Sequence, residues 1–77
     1  NDIGFRRVAN AATLLRAHLP RLDPADAASR AQLVELSKAW HGNGEAQYVK
    51  LLETLAGEFK GRPGSRAVDA LLEGLRP

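Results

Sequence analysis

The chain has 77 residues, no cysteine, no methionine and a formal net charge of +2. A chain this short makes one domain with a small core, because it buries only about 60–65% of the surface that its unfolded form exposes. The absence of cysteine excludes disulfides, thiolate catalysis and cysteine-based zinc sites. No apolar run approaches the roughly 20 residues needed to cross a bilayer, so no membrane partner is expected.

Prolines separate the first two predicted helices. The first helix is expected to run from about Asp2 to Leu19, with apolar residues recurring at steps of three or four. Pro20 lacks an N–H and predicts the end of this helix. The second helix is expected to begin with Asp23 as N-cap and Pro24 in the first helical position, and to run to about His41.

Glycine-rich turns bound the last two predicted helices. The segment 42–44 (Gly-Asn-Gly) predicts the turn before a third helix from about Glu45 to Lys60. The segment 62–64 (Arg-Pro-Gly) predicts the turn before a fourth helix, from Ser65 as N-cap to about Leu75. Because the connections are short, neighbouring helices are expected to be antiparallel.

Alanine and leucine dominate the composition, and the β-branched residues do not alternate as they do in strands. The sequence therefore predicts an all-α fold, a compact bundle of about four short antiparallel helices or a stack of helical hairpins. The whole chain, residues 1–77, is expected to be a single helical domain. Because it begins at Asn1 and lacks methionine, we expect it to be a fragment of a longer protein. Its arginine- and alanine-rich composition is typical of GC-rich bacteria, and a cytoplasmic location is the default expectation.

No residue pattern indicates catalysis, a metal ion or a cofactor. The two histidines, His18 and His41, fall on different predicted helices, and nothing in the sequence brings them together around a metal. Asp23 and Asp26 are explained by helix capping, and the glycines lack the spacing of a phosphate-binding loop. We therefore expect no enzymatic activity, no cofactor and no small-molecule substrate.

The leading hypothesis is a non-catalytic protein–protein interaction module, that is, an adaptor or docking domain. Four short amphipathic helices can leave an apolar groove that a partner helix fills, and self-association is equally allowed. The predicted partner-contacting residues are Phe5, Arg6, Arg7, Trp40 and Tyr48. For Trp40 the competing interpretation is a core residue whose N–H is satisfied locally.

The charges suggest an alternative function, because both ends of the chain are basic and the middle is acidic. Eight of the eleven cationic residues are arginine, which suits phosphate recognition. The alternative is therefore a small nucleic-acid-binding domain whose phosphate contacts are Arg6, Arg7, Lys60, Arg62 and Arg66. The net charge is small for such a domain, and a solvated charged surface is the plainer interpretation.

Overall fold

A computed structural model describes the backbone of residues 2–75 and the side chains of residues 4–75. This part of the chain forms four α-helices and no strand: α1 (Asp2–His18), α2 (Ala27–Lys38), α3 (Glu45–Glu58) and α4 (Ser65–Leu75). A 3-10 helix, Leu19–Arg21, follows α1 directly. The predicted all-α bundle is confirmed. None of these four helices combines the length and apolarity that crossing a membrane requires.

Pro20 ends α1 as predicted, and the chain tightens there into the 3-10 helix. The Leu22 N–H donates to the Leu19 carbonyl at 3.1 Å, and Leu22 itself is extended. Leu19 and Leu22 are both buried, so this reversal is part of the core and not a loose connection. The reversal starts the return of the chain toward the other end of the bundle.

The predicted start of α2 is wrong by three residues, because Asp26 and not Asp23 is the N-cap. Asp26 has an extended backbone, and its carboxylate accepts the Ser29 N–H at 2.9 Å. Asp23 instead shapes the preceding turn, where its Oδ1 accepts the Ala25 N–H at 3.0 Å. Both aspartates can cap, and the turn around Pro24 uses the first of them, as aspartate side chains often do before a helix.

The end of α2, the end of α3 and the start of α4 differ from the predictions by one to three residues, whereas α3 begins at Glu45 as predicted. α2 ends at Lys38, before the predicted His41, because the chain enters tight turns in which the Trp40 N–H donates to Ser37 and the Asn43 N–H to Trp40. α3 ends at Glu58, two residues early. Ser65, predicted as N-cap, is already the first helical residue of α4.

The core lies between the four helices and is built mainly from leucine. Its members come from every helix and from the reversal after α1. The most completely buried large side chains are Leu15, Leu19, Tyr48, Leu52, Leu55 and Val68. α4 contacts α2, α3 and the 3-10 helix, which is more elements than any other helix contacts.

Two pairs of helices that run in the same direction pack side by side. Near its beginning, α1 shares a groove with the first half of α3, through Val8 and Leu51. Near its end, Arg16 reaches Glu58 at the end of α3. α2 and α4 are likewise parallel, because both approach residues 20–24 at their beginnings and each other at Ser37 and Gly74.

Consecutive helices alternate in direction, but only α3 and α4 pack directly as consecutive neighbours among the described elements. α1 packs on α3, and α2 packs on α4. Of the two arrangements that the sequence allowed, the bundle is therefore the one observed. The arrangement leaves the groove between α1 and α3 open on its outer side.

Gly64 brings the turn before α4 into close contact with the reversal after α1. Its φ is +106°, and a Cβ there would lie 2.9 Å from Phe59 Cδ2 and 3.0 Å from the Leu19 carbonyl carbon. Any other residue would be strained by this backbone and would collide with a neighbouring chain segment. The missing side chain therefore fixes how closely the two turns meet at this end of the bundle.

We predict that Gly64→Ala lowers the free energy of unfolding by about 2 kcal/mol, from the strained backbone and the collision with Leu19. Gly57→Ala is the matched control, because Gly57 lies within α3 with nothing within 4 Å of an added Cβ. The control is expected to raise the free energy of unfolding by up to about 1 kcal/mol. Urea unfolding followed by circular dichroism measures both, and equal changes in the two variants would contradict the role assigned to Gly64.

Candidate functional site

Arg7, Trp40 and Tyr48, three of the predicted partner-contacting residues, form one stack. The Trp40 and Tyr48 rings lie 4.7 Å apart between centroids and are nearly parallel, at 7°. The Arg7 Cζ lies 3.6 Å from the centroid of Trp40. Two nitrogens of the same guanidinium donate to the carbonyls of Asn43 and Ala39, each at 2.8 Å. The stack therefore ties α1 to α3 and to the turn between α2 and α3.

The stack is internal, which changes the interpretation of its aromatic residues. Trp40 is 6% exposed and Tyr48 only 1%, so neither ring is available to a partner. The core interpretation of Trp40 is confirmed. The Tyr48 hydroxyl donates to the Leu36 carbonyl at 3.3 Å, and burial raises the pKa of Tyr48 to about 12.

Gly44 allows the stack to close. Its φ is +81°, and a Cβ there would lie 2.8 Å from Arg7 Nη1 and 3.3 Å from the Trp40 ring. The glycine that was predicted to form a turn thus also makes room for the guanidinium. Of the five predicted partner-contacting residues, Phe5 and Arg6 are the two that are exposed.

Phe5 lies at an open apolar groove between α1 and α3, here called the Phe5 groove. Phe5 is 75% exposed, the highest value among the large apolar side chains described. The groove has a volume of about 480 Å³. Its lining residues are Gly4, Phe5, Val8, Gln47, Lys50, Leu51 and Thr54. Lys50 is the one charged residue among them, and its ammonium makes no ion pair with a described residue.

Two other exposed apolar side chains lie elsewhere. Leu14 is 46% exposed, and it is nine residues after Phe5, which places it on the opposite side of α1. Val34 is 63% exposed and borders a smaller groove of about 220 Å³ between α2 and α4. The Phe5 groove is therefore the larger of the two apolar grooves along the helices.

The basic residues predicted to contact phosphates do not form one surface. Arg6 and Arg7 lie near the beginning of α1, whereas Arg62 and Arg66 approach the reversal at its end. The part of α1 between Arg6 and His18 separates these places by about 18 Å. Arg7 is also committed to the stack, and Lys60 is not among the residues that line the cleft described next.

A basic cleft occupies the end of the bundle where α1 ends and α4 begins. It has a volume of about 480 Å³ and lies between residues 20–24 and residues 61–66. Arg21, Arg62 and Arg66 line this cleft. Arg21 is not among the predicted phosphate contacts, because no local pattern shows that residues 20–24 face residues 61–66. In the sequence, Pro20 and Gly64 are the signals that could have indicated that residues 20–24 and residues 61–66 meet.

The other charged contacts are structural. Arg16 donates to both oxygens of Glu58, at 3.2 and 2.9 Å. The hydrogen bond raises the pKa of Arg16, and the same contact lowers the pKa of Glu58. His18 and His41 lie at opposite ends of the bundle, and His41 Nδ1 is 3.5 Å from Glu45 Oε1. Within residues 4–75, no group of three or more potential metal ligands converges.

No protein-family model matches this chain, and neither does a curated protein or a solved structure. Functional interpretation therefore depends on the surfaces of the molecule itself. In the part of the chain that the structure describes, two surfaces differ from an ordinary solvated face. They are the Phe5 groove and the basic cleft.

We predict that Arg7→Lys lowers the free energy of unfolding by about 1–2 kcal/mol, because an ammonium cannot stack flat on Trp40 while donating to two carbonyls. Arg6→Lys is the control, since the Arg6 side chain makes no hydrogen bond with a described residue. Its expected change is below about 0.5 kcal/mol. Chemical denaturation with tryptophan fluorescence measures both, and a neutral Arg7→Lys would show that the stack adds no stability.

We predict that stability falls as the pH rises from about 10 to about 12. The pKa of Tyr48 is about 12 in the folded protein, against 10.0 for an ordinary tyrosine, so the unfolded chain loses this proton first. Below that window the group contributes no pH dependence. Because Tyr48 is the only tyrosine, absorbance at the phenolate wavelength reports it directly. Phenolate formation at an ordinary tyrosine pKa in the folded protein would contradict the burial.

Proposed function

We propose that this protein is a non-catalytic protein–protein interaction module that binds an amphipathic helix of a partner in the Phe5 groove. The observation that carries the proposal is the 75% exposure of Phe5 beside an open apolar groove. Burying a phenylalanine side chain contributes about 1.5–3 kcal/mol, and this contribution is left unused in the isolated chain.

The shape of the groove favours a helix as the occupant. α1 and α3 are neighbouring helices that run in the same direction, so the depression between them is elongated along their axes. A third helix can lie lengthwise in such a depression and place residues at i, i+3, i+4 and i+7 against it. Leu51 and Val8 provide apolar contacts within the groove, with Phe5 beside them.

The charges around the groove favour a partner helix with acidic residues beside its apolar stripe. Lys50 lines the groove, and no carboxylate is among the lining residues. Arg6 is exposed but does not line the groove, because one helical step turns it about 100° away from Phe5. Aspartate or glutamate on the partner would meet Lys50 at the groove, where charge complementarity speeds association and selects partners.

The test uses a displayed library of amphipathic peptides of about 16 residues, enough for four turns of helix. Selected peptides are expected to share an apolar stripe flanked by acidic residues. Phe5→Ala is expected to weaken their binding about tenfold or more, equivalent to about 1.4 kcal/mol. Leu14→Ala is the matched control on the opposite side of the same helix, with less than a twofold change expected, about 0.4 kcal/mol.

Two results would contradict this proposal. One is equal weakening by Phe5→Ala and Leu14→Ala, or no selection of helical peptides at all. The other is a dimer, seen by light scattering at low and high salt, that Phe5→Ala dissociates, because a second copy would then occupy the groove. Thermal unfolding of both variants checks that each is folded before binding is measured.

A further inference from the structure

The basic cleft is bounded by turns of restricted geometry. Its walls include Pro20, Pro24 and Pro63. Gly64, which has no side chain, allows the two turns to approach closely at Leu19. Its volume of about 480 Å³ lies within the usual range of small-ligand sites, which is about 300–1,000 Å³.

The charge of the cleft is only partly compensated by the protein itself. Three arginines line it, together with a single residue that carries a carboxylate, Asp23. That carboxylate accepts the Ala25 N–H through Oδ1 and so supports the turn before α2. Neither Arg21 nor Arg66 makes an ion pair with a described residue. Arg62 lies near Glu58, whose carboxylate is bound by Arg16.

The arginines of the cleft differ from most other arginines of the chain because they do not donate to oxygens of the described part of the protein. Arg7, Arg16 and Arg30 each donate to oxygens of the protein, namely backbone carbonyls or the Glu58 carboxylate. The arginines without such acceptors among residues 4–75 are Arg6, Arg21, Arg62 and Arg66. Three of these four line the same cleft. Guanidinium groups stay protonated at all ordinary pH values, so their mutual repulsion persists unless an anion binds between them.

We propose that the basic cleft binds a phosphate group, held by Arg21, Arg62 and Arg66. A guanidinium presents parallel N–H donors that match two oxygens of a phosphate, and several such groups suit its multiple negative charges. The proline walls provide apolar surface for the organic part of the ligand. The phosphate can belong to a small phosphorylated molecule or to a nucleic acid strand, since both present the same chemistry to the arginines. This inference is independent of the Phe5 groove.

Calorimetric titration of the 77-residue chain with inorganic pyrophosphate, and separately with a single-stranded oligothymidylate of about ten nucleotides, tests the proposal at about 50 mM salt. The variants are Arg21→Gln and the double substitution Arg62→Gln with Arg66→Gln. Each is expected to weaken binding about tenfold or more. Arg6→Gln is the control, because it removes an equally unpaired arginine from the other end of α1, and a change below twofold is expected.

The two probes identify the source of the phosphate. Saturable pyrophosphate binding that depends on the cleft arginines supports the proposal and assigns a small ligand. Binding of the oligonucleotide alone, with the same dependence, supports it and assigns a nucleic acid strand. In that case three phosphate contacts give a slope of about −2 in a plot of log K against log salt.

Other results would overturn the proposal. Absence of saturable binding to both probes, or equal weakening by Arg6→Gln and by the cleft substitutions, would show a diffuse cationic surface and no site. Melting temperatures are expected to stay near that of the unsubstituted protein, because Arg21 and Arg66 make no hydrogen bonds within the described chain. If the double variant unfolds, Arg21→Gln provides the decisive comparison.

Discussion

The contact between the Arg7 guanidinium and the Trp40 ring is the interaction that fixes the first half of α1 in the bundle. In the bundle α1 packs directly on α3 and on the 3-10 helix, and α3 is the only one of the other three α-helices that it contacts. Arg7 holds its first half through Trp40, the carbonyls of Ala39 and Asn43 and, indirectly, Tyr48. Arg16 holds its second half through Glu58. Two arginines, together with the buried Ala12 and Leu15, therefore hold α1 beside α3.

The sequence was sufficient to predict the fold class and less informative about pairings across the chain. Helical periodicity, the proline after α1 and the glycine turns are local signals, and the four helices follow them. The N-cap of α2 was missed because Asp23 and Asp26 satisfy the same local rule, and only the turn between them decides which one caps. No local rule states that Arg7 reaches a turn 32 residues away.

Which of the predicted surface residues are exposed also depends on contacts between segments that are far apart in the sequence. The exposure of Phe5 and the burial of Trp40 depend on which helices pack together, and here α1 lies beside α3 and not beside α2. Arg21 joins Arg62 and Arg66 only because two turns far apart in sequence touch at Gly64. An elongated bundle thus presents two surfaces of different chemistry, an apolar groove along its side and a cationic cleft at one end.

The pairing of α1 with α3 has a consequence for the order in which the molecule assembles. α3 and α4 are joined by a short turn and pack directly, so they can associate after closing a small loop. α1 packs on α3, which lies beyond α2 in the chain. This contact closes a longer loop and therefore has a larger entropic cost. We therefore expect the α3–α4 hairpin to form first and α1 to dock last. The amide protons of its first turns would exchange with solvent through local opening, well before the rest of the core is lost.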